Sequence, residues 1–138
     1  MANIGFYSDA SSDFERTLKS KRITSALATG VYSLFRIPRY ALITDIWVDV
    51  ATAFDGTTPD TVTLGFGGNK ETQDDDGFMD AAAVLLSTAG IKRATSDGQP
   101  WSEGKYFDAA GGVIVASYTN NDSTVGSAYV FVKYCMIY

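Results

Sequence analysis

The chain contains no histidine, one cysteine and three prolines in 138 residues, and each scarcity removes a class of explanation. Without histidine there is no Ser-His-Asp or Cys-His relay, and the usual imidazole sites for transition metals are gone. A single Cys135 cannot form an internal disulfide, so the fold does not depend on an oxidising compartment. It sits in the apolar run VFVKYCMIY, where a thiol is a core or interface residue with no imidazole to activate it. No stretch approaches the ~18 consecutive apolar residues of a membrane helix, and the opening MANIGFYSDASSDFERTLKSKR lacks the apolar centre of a secretory signal. The expectation is a soluble chain made in a cytoplasm. A positive surplus is also missing, and the net charge of −5 argues against nucleic acid as the main partner.

The charge that is present is unevenly spread. Residues 1–39 carry six basic and three acidic side chains, whereas residues 40–138 carry five basic and thirteen acidic ones. A basic lead before an acidic body fits an arm that docks on an acidic surface, its own or a neighbour's; a solvated lead-in with scattered charge is the plainer alternative. Phe6, Tyr7 and Phe14 in this lead are large apolar groups poorly placed in free solvent. The expected division is an extended arm over 1–20 and a single domain over 21–138, long enough to bury a core without metal or disulfide.

The most regular pattern is Leu42 to Phe54, LITDIWVDVATAF, in which Leu42, Thr44, Ile46, Val48, Val50, Thr52 and Phe54 alternate with a side bearing Asp45 and Asp49. Such alternation marks a strand with one buried and one wet face, about 40 Å long at ~3.3 Å per residue. It reads as the central strand of a sandwich. Two shorter strands precede it within Arg22–Ala28 and Val31–Ile37, separated at Thr29-Gly30 and closed by Pro38. After the turn DGTTPD, the run TVTLGFGG reads as the second arm of a hairpin, with Gly65, Gly67 and Gly68 marking a bulge or a close backbone approach. NKETQDDDG reads as an acidic loop, Asp80–Leu86 as a short helix, and 91–103 as a loop punctuated by Asp97-Gly98 and Pro100. Lys105–Phe107, Val113–Thr119 and Ala128–Tyr138 complete the set. Seven or eight strands with one short helix and no internal repeat give an all-β sandwich of jelly-roll type. In the last strand Tyr129 and Phe131 put bulk on the side opposite Val130 and Val132, which points to a subunit interface more than to internal cover.

Chemistry is sparse. The carboxylates Asp74, Asp75 and Asp76 are compatible in type with glycoside hydrolysis, but nothing in the sequence builds a sugar cleft around them. With Gly77 and Asp80 they are also compatible with a calcium loop, yet the spacing lacks the EF-hand pattern and its distal Glu, so a solvated acidic loop is preferred. GFGGNK lacks the spacing and hydroxyl of a phosphate loop, and Asn121-Asp122-Ser123 is more simply a turn than a glycosylation site. The expectation is no catalytic residue, no metal and no cofactor.

The segment FRIPRYALITDIWVDVATAFDGTTPDTVTLGFGGN, followed by DDDGFMDAAAVLLSTAG and GKYFDAAGGVIVASYTNNDSTVGSAYVFVKY, resembles small structural proteins of tailed bacteriophages over about residues 31–138. A proline-ended strand, a long valine-rich strand, a glycine-ended strand and a closing Ser/Thr-Gly turn carry the resemblance. It implies a jelly-roll subunit of the virion, made in the host bacterial cytoplasm. The leading expectation is a capsid decoration, or cement, protein that binds the major capsid protein as a homotrimer and contacts neither nucleic acid nor membrane. Its interface is expected at Phe6, Tyr7, Arg16, Lys19, Lys21, Arg22, Tyr129 and Phe131. The alternative is a tail or head-fibre component that binds host carbohydrate through Trp47, Trp101, Tyr106 and the Asp74–Asp76 loop.

Overall fold

The computed structural model describes residues 15–94, 99–101 and 104–137. Its strands are β1 (Arg16–Lys19), β2 (Ile23–Thr24), β3 (Gly30–Ile37), β4 (Ala41–Thr52), β5 (Thr61–Gly67), β6 (Asp74–Met79), β7 (Gly90–Arg93), β8 (Lys105–Tyr106), β9 (Gly112–Thr119) and β10 (Ser127–Met136). They form two antiparallel sheets. The first is ordered β1–β10–β4–β7, with β2 prolonging β1 along β10 and β8 prolonging β7 along β4; the second is β3–β9–β5–β6. With β1/β2 and β7/β8 each taken as one interrupted strand, the chain changes sheet at every connection except β5–β6. That order is the eight-strand jelly roll, as the sequence suggested.

The core lies between the sheets. Val48, Val50, Val130 and Val132 from the first sheet meet Val62, Leu64, Ile114 and Tyr118 from the second, all 1% exposed or less. Each such aliphatic side chain stabilises the fold by roughly 1.5–3 kcal/mol relative to its exposed state. The alternation along β4 changes phase part-way. A register step between the pairs Asp45↔Lys133 and Ile43↔Tyr134 places a bulge at Thr44, so Ala41 and Ile43 are buried before it and Ile46, Val48 and Val50 after it. Leu42 and Thr44, expected on the buried side, therefore face outward, and the Thr44 hydroxyl donates to the Lys133 carbonyl at 3.2 Å.

The interruption between β1 and β2 is held by Ser20. Its backbone N–H donates to the Val130 carbonyl (2.8 Å), and its Oγ accepts from the Val130 N–H (2.9 Å) and donates to the Lys21 carbonyl (2.7 Å). One buried hydroxyl thus carries the ladder across the break.

Four local expectations are corrected. The described residues contain no helix: Asp80 to Val84 makes a single turn, with the Asp80 carboxylate accepting from the Ala83 N–H (2.8 Å), after which Val84 and Leu86 drop into the core. Two buried anchors that close together leave no length for a second turn. Asp74–Asp76 lies in strand β6, not in a loop, because β6 bulges against β5 where a Cβ on Gly65 would stand 1.8 Å from the Asp74 carbonyl. Residues 91–93, taken as the start of a loop, belong to β7 on the edge of β4. DGTTPD is a crossover between sheets and not a hairpin turn, since β4 pairs with β10 and β5 with β9.

Candidate interaction face

The side of the first sheet turned away from the core collects charge and aromatic rings in register. Lys19 on β1 stands opposite Phe131 on β10, Phe131 opposite Trp47 on β4, and Trp47 opposite Arg93 on β7, so one row crosses all four strands. A neighbouring row holds Tyr129, Asp49 and Ile91, and the row on the other side holds Thr17, Lys133 and Asp45.

The central row is a continuous stack. The Trp47 and Phe131 rings are parallel to within 4°, with centroids 5.3 Å apart. The Arg93 guanidinium caps Trp47 at 5.0 Å, and the Lys19 ammonium lies 4.1 Å from the centroid of Tyr129 and 5.9 Å from that of Phe131. Ion pairs Arg93–Asp45 and Lys133–Glu15, both 2.6 Å, flank the stack, and the Arg22 Nε donates to the Tyr129 hydroxyl at 3.1 Å. Exposed pairs of this kind contribute only ~0–1 kcal/mol each. The Arg93–Asp45 pair also orients the guanidinium that lies over Trp47.

Elsewhere the polar groups are internally satisfied, and among the described residues no buried side-chain polar atom lacks a partner. The Asp55 carboxylate accepts from the N–H groups of Val125 (2.9 Å) and Thr124 (2.7 Å) and from the Thr124 hydroxyl (2.8 Å), and these bonds hold it below the usual carboxylate range. Buried Asp60 accepts from the Tyr118 hydroxyl and from the Asn121 N–H (2.7 Å). Burial first, and then the hydrogen bond to Asp60, pushes the Tyr118 phenol upward. These bonds tie the β4–β5 and β9–β10 connections together.

At the opposite end Lys105 is an ammonium with 1% of its side chain exposed, 2.8 Å from the Glu71 carboxylate. It lies 4.0 Å from the Trp101 ring centroid, 4.1 Å from that of Phe66 and 5.5 Å from that of Phe107. On β6 the hydrogen bond that a protonated Asp76 donates to Asp74, then burial and the Asp74 charge, raise the Asp76 pKa, while Asp75 accepts from Gln73 Nε2 at 2.6 Å. Among the described residues no group of three or more His, Cys, Asp or Glu side chains is placed to hold a metal.

The residues singled out from the sequence fall in three places. Lys19, Tyr129 and Phe131 lie on the stacked face; Lys21 and Arg22 are exposed in the break between β1 and β2; Arg16 is exposed on β1 with the opposite parity to Lys19. Phe6 and Tyr7 lie outside the described residues, as does the Asp97-Gly98 turn. Arg93, Asp45 and Lys133 were not anticipated as members of the face. Alternation marks Asp45 and Lys133 as outward, but Arg93 sits in a stretch too short and polar to read as a strand, and only the pairing register shows which of them meet.

No protein-family model and no curated protein matches the chain. Solved structures of similar fold include a chain of the acidic stable capsid structure of Helicobacter pylori bacteriophage KHP30, with a TM-score of 0.65 and 19% identity over 89% of this chain and 88% of that one. A chain of the cyanophage Pam1 capsid asymmetric unit aligns with a TM-score of 0.66 and 16% identity over 96% and 93%. A chain of the capsid of Ralstonia phage GP4 aligns with a TM-score of 0.63 and 16% identity over 96% and 90%. At these identities the likeness is one of fold, shared along almost the whole of each chain.

Proposed function

We propose that the protein is a capsid decoration, or cement, subunit that docks as a trimer on the outer shell of a phage head through the outward face of its first sheet. The observation that carries this reading is the row Lys19–Phe131–Trp47–Arg93, a stacked aromatic band with cations at both ends that spans the sheet. Aromatic residues and arginine are the types enriched at protein interfaces, and Ile91, 58% exposed, adds an apolar edge to the same face. The fold shared with chains of three phage capsids supports a structural role in a virion. The major capsid protein is the partner this reading requires, and turnover of a substrate forms no part of it. A subunit of this kind stabilises a shell because it binds the assembled state in preference to free components.

Co-sedimentation of the purified protein with capsids that lack it tests the reading. Phe131→Glu places a charge in the middle of the stack and is expected to weaken binding by about 30-fold, the effect of losing a central anchor worth ~2 kcal/mol. Binding at wild-type strength would overturn the reading. Light scattering at several concentrations tests the trimer.

The alternative of a carbohydrate-binding fibre tip has less support in the geometry. A sugar needs an open ring face, whereas Trp47 is covered by Phe131 and Arg93, and Trp101 by Lys105. Reproducible binding on a glycan array would reverse this order.

A further inference from the structure

At the end of the sandwich where β2 meets the second sheet, the two layers leave a cleft of about 330 Å³. Its walls are Ile23, Leu27, Tyr32, Leu34, Ala116 and Tyr118, and Lys21 and Arg22 stand on its rim. Leu27, Tyr32 and Leu34 remain only partly buried against the core, so apolar surface is left without an internal occupant. Neither rim cation meets a carboxylate among the described residues. The cleft therefore fits a ligand with a bulky apolar group and a carboxylate close behind it.

Residues 1–14, MANIGFYSDASSDF, have that composition. They supply Ile4, Phe6 and Tyr7, follow them with Asp9 and Asp13, and contain no lysine or arginine. We infer that this segment fills the cleft, with Phe6 or Tyr7 seated between Leu27 and Leu34 and Asp9 set against Lys21 and Arg22. Reach permits it, because the nine residues from Glu15 back to Phe6 span up to ~30 Å when extended. The chain enters the sheet at the far end, since Arg16 pairs with Tyr134 whereas Ile23, beside the cleft, pairs with Ala128. A segment folded back on its own cleft must retrace the ~23 Å from Arg16 to Ile23, at ~3.3 Å per residue, and spend most of its reach doing so. Insertion into the cleft of a neighbouring copy needs no reversal. The inference deepens the proposed function, because it assigns Lys21 and Arg22 to holding residues 1–14 of this chain or of another copy instead of to the capsid shell.

Disulfide trapping in the full-length chain tests it. In a Cys135→Ser background, Tyr7→Cys is combined with Ser33→Cys, which lines the cleft, and separately with Lys21→Cys on the rim. Each pair is expected to oxidise at least tenfold faster than a control pair of Tyr7→Cys with Lys92→Cys on β7. Lys21→Glu together with Arg22→Glu, added to the Tyr7→Cys/Ser33→Cys protein, is expected to slow trapping severalfold. Covalent dimers on a non-reducing gel would show exchange between copies and covalent monomers a segment folded on its own cleft; either product carries the inference. Trapping at both positions no faster than the control overturns it. If trapping fails while wild-type protein still binds capsids, the cleft assignment falls and the decoration role stands.

Discussion

Trp47 and Phe131 stack face to face across β4 and β10, with centroids 5.3 Å apart, on the side of the sheet that the core does not use. Directly opposed residues on adjacent strands are the unit through which a sheet gains side-chain stability. Here one such pair also joins the two cations at either end of the row.

The pair should be energetically coupled. Trp47→Ala, Phe131→Ala and the double variant, compared by urea denaturation, are expected to give a coupling free energy of about 0.5–1.5 kcal/mol, the range for stacked aromatic pairs beyond area burial. Strict additivity would mean that the stack is a geometric accident.

Tyr118 and Asp60 form a buried polar contact in the core. Tyr118→Phe is expected to destabilise the fold by about 1–3 kcal/mol, because the Asp60 carboxylate loses a donor it cannot replace with water. The raised folded-state pKa of the phenol adds a pH dependence. Stability from this group is fully present below the ordinary tyrosine value of 10.0 and declines as pH rises above it. An ultraviolet titration of the wild type should therefore show one phenol ionising later than the rest, and that late component should vanish in Tyr118→Phe.

Asp55 predicts the opposite window. Its folded pKa lies below the model-peptide value of 3.8, chiefly through the Val125 and Thr124 N–H groups, so its contribution is present above that value and is lost as pH falls through the folded one. Asp55→Asn should lower the melting temperature at neutral pH and flatten its decline below about pH 4. Parallel acid profiles for variant and wild type would show that these hydrogen bonds do not couple to folding.

Lys105 and Glu71 should behave unlike the surface pairs. Removing the carboxylate with Glu71→Gln strands an ammonium that has 1% exposure, so the cost is expected to exceed the ~0.2–1 kcal/mol of an exposed pair. Lys105→Met, which keeps the volume among Phe66, Trp101 and Phe107, should recover much of the loss in the double variant. Equal melting temperatures for wild type and Glu71→Gln would show that the rings alone hold the cation.

How far the sequence could be read depended on how local the cause was. The alternation of Val48 and Val50 on β4 and of Val130 and Val132 on β10 reflects a period of two written into each segment, and it led directly to two buried strand faces. Thr44 misled because its bulge is set by the partner strand, where the register steps between Lys133 and Tyr134, and nothing near Thr44 announces it. Asp74–Asp76 was misread for a related reason. Three adjacent carboxylates resemble a loop by composition, but Gly65 on the neighbouring strand lets their backbone pack close. The face itself was half visible: Lys19, Tyr129 and Phe131 could be named as outward and bulky, whereas Arg93 joined them only through pairing. Pairing between residues 46 or 84 positions apart, as for Trp47 with Arg93 and with Phe131, leaves no trace in a window of ten.

The placement of β1 beside β10 also governs how the molecule comes into being. Arg16 and Tyr134 are directly paired in the sheet although 118 positions separate them along the chain. On a ribosome, β1 emerges before β10 and waits unpaired until β10 is released. Topologies so rich in distant contacts fold slowly, in roughly milliseconds to seconds once the chain is free. During that interval β4, the longest strand, lacks its principal partner, and its valine-rich edge is open to the same strand of another nascent chain. Yield on overexpression should therefore depend more on synthesis rate and temperature than the stability of the finished sandwich would suggest.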